Sequence, residues 1–236
     1  MAGPEQIAHS AAFGQVIYSA LFLVFFGSIF ILIGGDLRWI EGWIFVSVFT
    51  IFSLATVIRM YVKDPGLLQE RMGPPIQKGQ NSWDKLMIVL IVITYVAWYV
   101  LLPLDAVRYH WGPVFPIWLK AVGFIVCIIG FWLFYETFRE NTFAAPVVKI
   151  QQEREHHVIS TGLYGIVRHP LYLAGIAYVI GGTLLIGSAY GLLAASCFAL
   201  VLAARTLVEE STLRRELVGY EDYMKKVRWR LVPYVF

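Results

Sequence analysis

The sequence is short of charge. Only 15% of its 236 residues are Asp, Glu, Lys or Arg, whereas an ordinary soluble domain carries about a quarter. Hydrophobic residues make up 58% of the chain, and the mean hydropathy is +0.67. This deficit of charge excludes an ordinary soluble domain and predicts an integral membrane protein.

Cysteines and the common catalytic motifs are also scarce. Cys127 and Cys197 both lie inside apolar segments without metal-ligand spacing, so no disulfide framework is predicted. The motifs HExxH, GxSxG and GxGxxG are absent, which argues against a metal enzyme, a nucleophile-elbow hydrolase and a Rossmann nucleotide site. The net charge of +3 comes with no nucleic-acid recognition motif. We therefore expect neither a metal nor a nucleic acid as partner.

Long apolar runs are plentiful. A bilayer asks for about 20 mostly apolar residues per helix, and four runs meet this length: 15–35, 42–62, 86–106 and 116–138. A fifth apolar block, 170–204, fits two short helices with a break near Gly187-Ser188 or, alternatively, at Gly181-Gly182. The predicted fold is an all-α polytopic membrane protein with about six transmembrane helices, the last two forming a hairpin. A hairpin that dips into the bilayer without crossing it fits the same pattern.

The basic residues predict the orientation in the membrane. Lys and Arg concentrate in the connections 63–85 and 139–168 and in the tail 205–236, while the alternate connections carry only Arg38 and Arg108. By the positive-inside rule this places both termini and the polar connections in the cytoplasm. The membrane would be the bacterial inner membrane or, in a eukaryote, the endoplasmic reticulum.

The two halves of the chain differ in character. Residues 1–138 are predicted to form a scaffold of transmembrane helices. Residues 139–236 are predicted to be the catalytic region, comprising a polar connection, the hairpin and a C-terminal helix. The connection 63–83 contains several Pro and Gly residues that break helices. It is interpreted as a linker, or as a loop covering the site.

Polar side chains cluster at the start of the hairpin, in GLYGIVRHPLYLAG (162–175). Pro170 suits the first turn of a helix, so Arg168 and His169 lie at its N-terminus. Free backbone N–H groups at such an end bind anions. Tyr164 and Tyr172 flank this point. The simpler interpretation is an arginine that reaches the lipid head groups beside an interfacial tyrosine.

A second polar cluster follows the hairpin. Arg205 and Glu209 lie four residues apart, hence on one helical face, where a plain intrahelical salt bridge is the alternative explanation. Arg205 ends an apolar run, so its charge is predicted to lie at the membrane edge. Glu209 and Glu210 are candidates to pair with a cationic ligand group, and periodicity does not decide between them. Two clusters flanking one hairpin predict a single site at a membrane surface.

These residues resemble a known family. HHVISTGLYGIVRHPLYLAG, followed by RTLVEESTLRRELVGYEDYMKKV, resembles the isoprenylcysteine carboxyl methyltransferases and their bacterial and archaeal relatives, and more loosely the phospholipid N-methyltransferases. The resemblance covers about 139–236 and implies S-adenosylmethionine as methyl donor, with S-adenosylhomocysteine as product. It implies that Arg205 faces the methyl acceptor. The implied donor pocket contains His156, His157, Val158, Ile159, Tyr164, His169, Pro170, Leu171, Tyr172 and Glu209, with Lys149 where the family places a glutamine.

Elementary chemistry agrees with this implication. A helix N-terminus with Arg168 and His169 suits the donor's carboxylate, Glu209 or Glu210 its ammonium, and tyrosine faces its sulfonium. The implied acceptor is a lipophilic molecule met among membrane lipids, with the carboxylate of an isoprenylcysteine preferred because Arg205 would orient it. Phospholipid amines and thiols stay open as acceptors. An NADPH-dependent sterol-type reductase and a non-enzymatic membrane protein are the alternatives from other classes.

Overall fold

The fold is all-helical, as predicted. The computed structural model describes residues 4–76 (side chains from residue 13), 80–144, 146 and 157–236. The α-helices are α1 (Pro4–Gly34), α2 (Ile40–Lys63), α3 (Pro65–Met72), α4 (Ser82–Pro103), α5 (Ile117–Glu140), α6 (Pro170–Ile186), α7 (Ala189–Glu216) and α8 (Tyr220–Lys226). A π-helical turn continues α4 to Tyr109, and a short 3₁₀ turn spans Gly162–Gly165. Lys149 and His156 lie outside the described residues.

Five helices are long and apolar enough to cross a membrane, and a sixth is shorter. The candidate spans are Phe13–Gly34, Ile40–Lys63, Ser82–Tyr109, Ile117–Glu140 and Ala189–Glu216. Helix α6 has only 17 residues, which gives a length of about 26 Å against a hydrocarbon core of about 30 Å. The protein is an integral membrane protein, and α6 is shorter than the thickness of the hydrocarbon core.

The hairpin between α6 and α7 turns where the first predicted break lies. Gly187 has a φ of +83°, a conformation that glycine adopts without strain, and it ends α6. The Ser188 hydroxyl caps α7 by accepting a hydrogen bond from the Gly191 amide at 2.8 Å, and it donates one to the buried Asp105 carboxylate at 2.6 Å. Helix α6 continues unbroken through Gly181-Gly182.

Helix α7 differs from the expected short helix. It runs for 28 residues to Glu216, so the apolar second arm of the hairpin and the polar segment after Arg205 form one continuous rod. The reason is local, because no Gly or Pro occurs between Gly191 and Gly219. The polar segment is therefore held rigidly by a membrane helix.

The hairpin is clamped by helices from the first half of the chain. Helix α5 lies so close to α6 that a Cβ atom on Gly123 would fall 2.3 Å from the Leu185 backbone nitrogen, and small residues permit such approach in membrane bundles. Trp98 of α4 donates a buried hydrogen bond to Thr183 of α6 at 2.7 Å. The division of roles at residue 138 stays a prediction, since the two halves pack as one bundle.

A short helix occupies the connection before α4. Asp64 caps α3 by accepting a hydrogen bond from the Leu67 amide at 2.9 Å, and Pro65 occupies its first turn. The buried side chains of Leu67 and Leu68 pack against Phe138 at the end of α5. The connection is thus anchored to the polar end of the bundle.

Candidate active site

A pocket opens where the polar connection, the start of α6, the polar end of α7 and α8 meet. Nine of the predicted donor-site residues line it: His157, Val158, Ile159, Tyr164, Arg168, His169, Leu171, Tyr172 and Glu209. The two polar clusters noted in the sequence therefore share one cavity. Pro170, Glu210 and Arg205 are not among its lining residues.

Glu209 is the glutamate that faces the pocket. The Tyr172 hydroxyl donates a short hydrogen bond to its carboxylate, and the Tyr172 ring stacks on the His169 ring with centroids 5.6 Å apart. Among the described side chains, no cation forms an ion pair with Glu209. Its negative charge is therefore left to attract a cation in the pocket.

Glu210 faces the opposite way, into protein. Its side chain is 3% exposed, and its carboxylate lies 2.6 Å from Arg168 Nε, 3.2 Å from His169 Nε2 and 2.9 Å from Arg230 Nε. Successive residues on a helix point about 100° apart, which separates the two glutamates. The prediction that Glu210 contacts the donor is not supported by this geometry, because three cationic or polar groups of the protein already surround it.

The groups of Arg168 and the backbone just before α6 are also bonded to protein. The backbone amides of Arg168 and His169 donate to the carbonyls of Trp229 and Arg230, each at 2.9 Å. The Arg168 guanidinium donates further to two carbonyls of the C-terminal tail. Helix α6 does begin at Pro170, as predicted, and the returning C-terminal tail accepts hydrogen bonds from the two backbone amides that precede it.

Arg205 lies beside the pocket, behind Tyr172. It is 7% exposed, and its Nη2 donates to Asp84 at 2.9 Å and to the Pro146 carbonyl at 2.6 Å. Its guanidinium carbon lies 5.8 Å from the centre of the Tyr172 ring. The buried Nε of Arg205 has no hydrogen-bond partner in the part of the chain that the structure describes. The prediction that Arg205 faces the acceptor stays a prediction.

Several residues that line the pocket were not predicted from the sequence: Asn141, Phe143, Ala144, Leu213, Leu217, Tyr220 and Tyr223. Asn141 donates to the Tyr164 hydroxyl at 2.8 Å, and the Tyr223 hydroxyl donates to the Tyr164 carbonyl at 2.8 Å. The buried Tyr220 hydroxyl has no partner among the described residues. Helical spacing in the tail was a signal for Leu213, Leu217 and Tyr220, whereas nothing in the local sequence marks Asn141–Ala144.

The pocket tyrosines remain neutral. Burial raises the pKa of Tyr164, Tyr220 and Tyr223 above the ordinary value for a phenol. Their hydroxyls are therefore hydrogen-bond donors and acceptors at physiological pH, and their uncharged rings present electron-rich faces to a cation.

Comparison with known proteins adds independent support. The phospholipid methyltransferase family model matches residues 118–217. A protein-S-isoprenylcysteine O-methyltransferase B from Arabidopsis thaliana is 25% identical over 154 residues, which cover 60% of this chain and 70% of that protein. The chain is therefore similar to membrane methyltransferases, the isoprenylcysteine carboxyl methyltransferases among them. These similarities favour a methyltransferase over the reductase and the non-enzymatic alternatives.

A solved structure shares the fold of this chain. It is that of a eukaryotic intramembrane Ras methyltransferase, an isoprenylcysteine carboxyl methyltransferase, with a TM-score of 0.53, 17% identity and coverage of 97% of this chain and 98% of that chain. The agreement extends over the N-terminal helices, which lie outside the span of the family model. The methyltransferase relatives require a methyl donor, and the pocket around Glu209 is the candidate site for such a molecule in this chain.

Proposed function

We propose that the methyl donor is S-adenosylmethionine and that it binds in the pocket around Glu209. The observation that carries this proposal is the Glu209 carboxylate, which forms no ion pair with any described side chain and lies in a pocket lined by tyrosines. Such a site fits a ligand with an ammonium and a sulfonium, since carboxylates bind ammonium groups and aromatic faces attract cations. The apolar side chains of Val158, Ile159 and Leu213 fit the flat adenine.

The unpartnered Tyr220 hydroxyl strengthens the fit. A buried polar group without a hydrogen bond costs free energy, and a polar ligand removes that cost by supplying a partner. The hydroxyl would donate to the donor's carboxylate or ribose, which replaces the role first given to Arg168. The Arg168 guanidinium instead joins the start of α6 to Glu210 of α7 and to the C-terminal tail through hydrogen bonds.

The proposed reaction is methylation of a carboxylate on a lipophilic, isoprenylcysteine-like acceptor. The sulfonium supplies an activated methyl group. A carboxylate oxygen forms a bond to the methyl carbon as the carbon–sulfur bond breaks, giving a methyl ester and the neutral thioether S-adenosylhomocysteine. No proton is released, so the chain needs no general base. Its task is to align the acceptor and exclude water.

Arg205 is proposed to position the acceptor. It lies one helical turn from Glu209 toward the apolar part of α7, and its Nε has no acceptor among the described groups. A carboxylate would satisfy that N–H with a charge-assisted hydrogen bond. The exposed apolar surface of the neighbouring helices gives a prenyl chain an apolar path from the bilayer.

A phospholipid amine is the second candidate acceptor, because the matching family model is described as phospholipid methyltransferase. An amine must lose a proton before or during transfer, so a base is needed nearby. On the acceptor side the carboxylate of Asp84 is engaged by Arg205 at 2.9 Å. A cation in this place favours an anionic acceptor over an amine.

The proposed orientation places the pocket and both termini in the cytoplasm. The pocket is built from the polar connection, the polar end of α7 and α8, which belong to the basic segments of the chain. The positive-inside rule assigns these segments to the cytoplasmic face.

Donor binding tests the proposal. Calorimetric titration of the purified protein in detergent micelles should show saturable binding of S-adenosylhomocysteine at one site per chain, and no binding of NADPH under the same conditions. Binding of NADPH without any binding of S-adenosylhomocysteine would overturn the assignment of the pocket.

A further inference from the structure

Arg71 is a cation near the pocket that has no role in the proposed binding of the donor. It lies on α3, four residues after the buried Leu67 and hence on the same helical face. Its guanidinium carbon stands 5.0 Å from the centre of the Phe138 ring. No carboxylate among the described residues forms an ion pair with it. Arg71 is half-buried, and burial lowers its pKa to about 10, so it is charged at neutral pH.

The position of Arg71 connects it to the pocket wall. Phe138, Leu67, Leu68 and Ala144 form one buried cluster, against which Leu171 packs. Ala144 and Leu171 also line the donor pocket. Helix α3 therefore packs behind the part of the pocket wall formed by Ala144 and Leu171, and Arg71 belongs to this helix.

Arg71 also shares its surroundings with Arg205. Arg205 lies near enough for its charge to lower the pKa of Arg71, and the Arg205 guanidinium carbon lies 5.8 Å from the centre of the Tyr172 ring. Arg205 is balanced by the Asp84 carboxylate, whereas Arg71 has no such counter-ion in the described chain. Arg71 is therefore the cation of this pair for which an anionic ligand would supply a partner.

We propose that Arg71 binds the carboxylate of the methyl acceptor and makes the enzyme select an anionic acceptor. This inference rests on the proposed function. The acceptor is favoured over the donor as the source of the carboxylate because neither Arg71 nor Arg205 lines the donor pocket. Arg205 lies behind Tyr172 at the point where α7 becomes apolar, and Arg71 lies at Phe138 behind the Leu171 side of the pocket wall; a lipophilic acceptor would lie at this apolar border of the pocket.

The test compares substitutions of Arg71 with a substitution of Arg59, because both guanidinium groups lie over aromatic rings of α5. Arg71→Met removes the charge and keeps much of the side chain's length, and Arg71→Lys keeps the charge. Arg59→Met is the control, because the Arg59 guanidinium stands 5.5 Å from the ring of Tyr135, also on α5. Each variant is assayed with N-acetyl-S-farnesylcysteine as acceptor and with its carboxamide as a competing ligand, and the binding of S-adenosylhomocysteine is titrated separately.

Arg71→Met should raise the KM for the acceptor by about tenfold, the scale of one charge-assisted hydrogen bond. It should also abolish the preference for carboxylate over carboxamide and leave S-adenosylhomocysteine binding unchanged. Arg71→Lys should restore part of the preference, and Arg59→Met should retain all of it. Because a purely structural role would not alter the ratio of carboxylate to carboxamide binding, this ratio is the decisive readout.

Two results would overturn the inference. An unchanged carboxylate preference in Arg71→Met would mean that Arg71 only packs on Phe138, and weakened S-adenosylhomocysteine binding would assign it to the donor. Both differ from a failure of the proposed function, in which the unaltered protein transfers no methyl group to the carboxylate at all.

Discussion

Glu209 and Glu210 are adjacent in the chain and chemically identical, yet the structure gives them opposite surroundings. Glu210 is 3% exposed and is held by Arg168, His169 and Arg230. Glu209 borders the pocket, and the Tyr172 hydroxyl is its one side-chain hydrogen-bond donor among the residues that the structure describes. A carboxylate saturated by the protein's own cations serves the fold, whereas one left without a counter-ion is available to a ligand.

The comparison extends to the elements that each glutamate joins. Glu210 ties α7 to the start of α6 and to the C-terminal tail, so it fixes the pocket's frame. Glu209 and the pocket tyrosines occupy the space inside that frame. Removing Glu210 should therefore damage the structure first, and removing Glu209 should damage ligand binding alone.

The largest expected effect is that of Glu210→Ala. It leaves buried cations without a partner, and breaking a buried ion pair in this way costs about 3–5 kcal/mol of stability. Thermal unfolding in detergent should show a clearly lowered midpoint. Glu221→Ala is the control, because its pair with Arg214 at 3.3 Å is exposed and such pairs contribute little. Equal midpoints in the two variants would show that the Glu210 network is not structural.

Glu209→Gln sharpens the contrast between the two glutamates. The amide keeps the shape and can still accept from Tyr172, so the protein should unfold at the same temperature as before. The lost charge should weaken S-adenosylhomocysteine binding by about 10- to 100-fold, since hydrogen bonds to charged groups are worth about 1.5–3 kcal/mol. Titration calorimetry measures this, with the exposed Glu216→Gln on the same helix as control. Unaltered binding in Glu209→Gln would remove Glu209 from the donor site.

Tyr172→Phe tests the one hydroxyl that orients Glu209. The ring stays in place beside His169 and Arg205, but the hydrogen bond to the Glu209 carboxylate is lost. Donor affinity should fall by about fivefold, the equivalent of about 1 kcal/mol for one hydrogen bond. The same titration provides the measurement. Tighter binding in this variant would mean that Tyr172 competes with the ligand for Glu209 and does not orient it.

The smallest effect is expected for Tyr220→Phe. The Tyr220 hydroxyl is buried without a partner in the described structure, so its removal should leave the unfolding temperature unchanged or slightly higher. Donor affinity should fall by about two- to threefold, equivalent to about 0.5 kcal/mol. A loss of stability with unchanged affinity would contradict the role given to this hydroxyl.

The parts of the molecule that depend on local pattern could be predicted from the sequence. The apolar runs gave the membrane helices, Gly187-Ser188 marked the turn of the hairpin, and Pro170 marked the start of α6. The two polar clusters meet in one pocket because they flank a single hairpin. That they form one site could therefore be predicted without knowing any contact between distant parts of the chain.

The parts that depend on contacts between distant segments could not be predicted from the sequence. Asp84 meets Arg205 across 121 positions of the chain, and the tail around Trp229 returns to take the amides at the start of α6. No periodicity in either segment signals these contacts. The same holds for Arg71, whose connection looked like a linker, and for the choice between Glu209 and Glu210.

The central claim is methyl transfer from S-adenosylmethionine to a lipophilic carboxylate. The most direct test supplies donor labelled in its methyl group to the purified protein in lipid vesicles, with N-acetyl-S-farnesylcysteine, phosphatidylethanolamine and a small thiol as separate acceptors. The label should appear on the prenylcysteine, and alkali should release it as methanol, because among these products only a methyl ester is cleaved in this way. Label found only in alkali-stable form on the phospholipid or the thiol would contradict it.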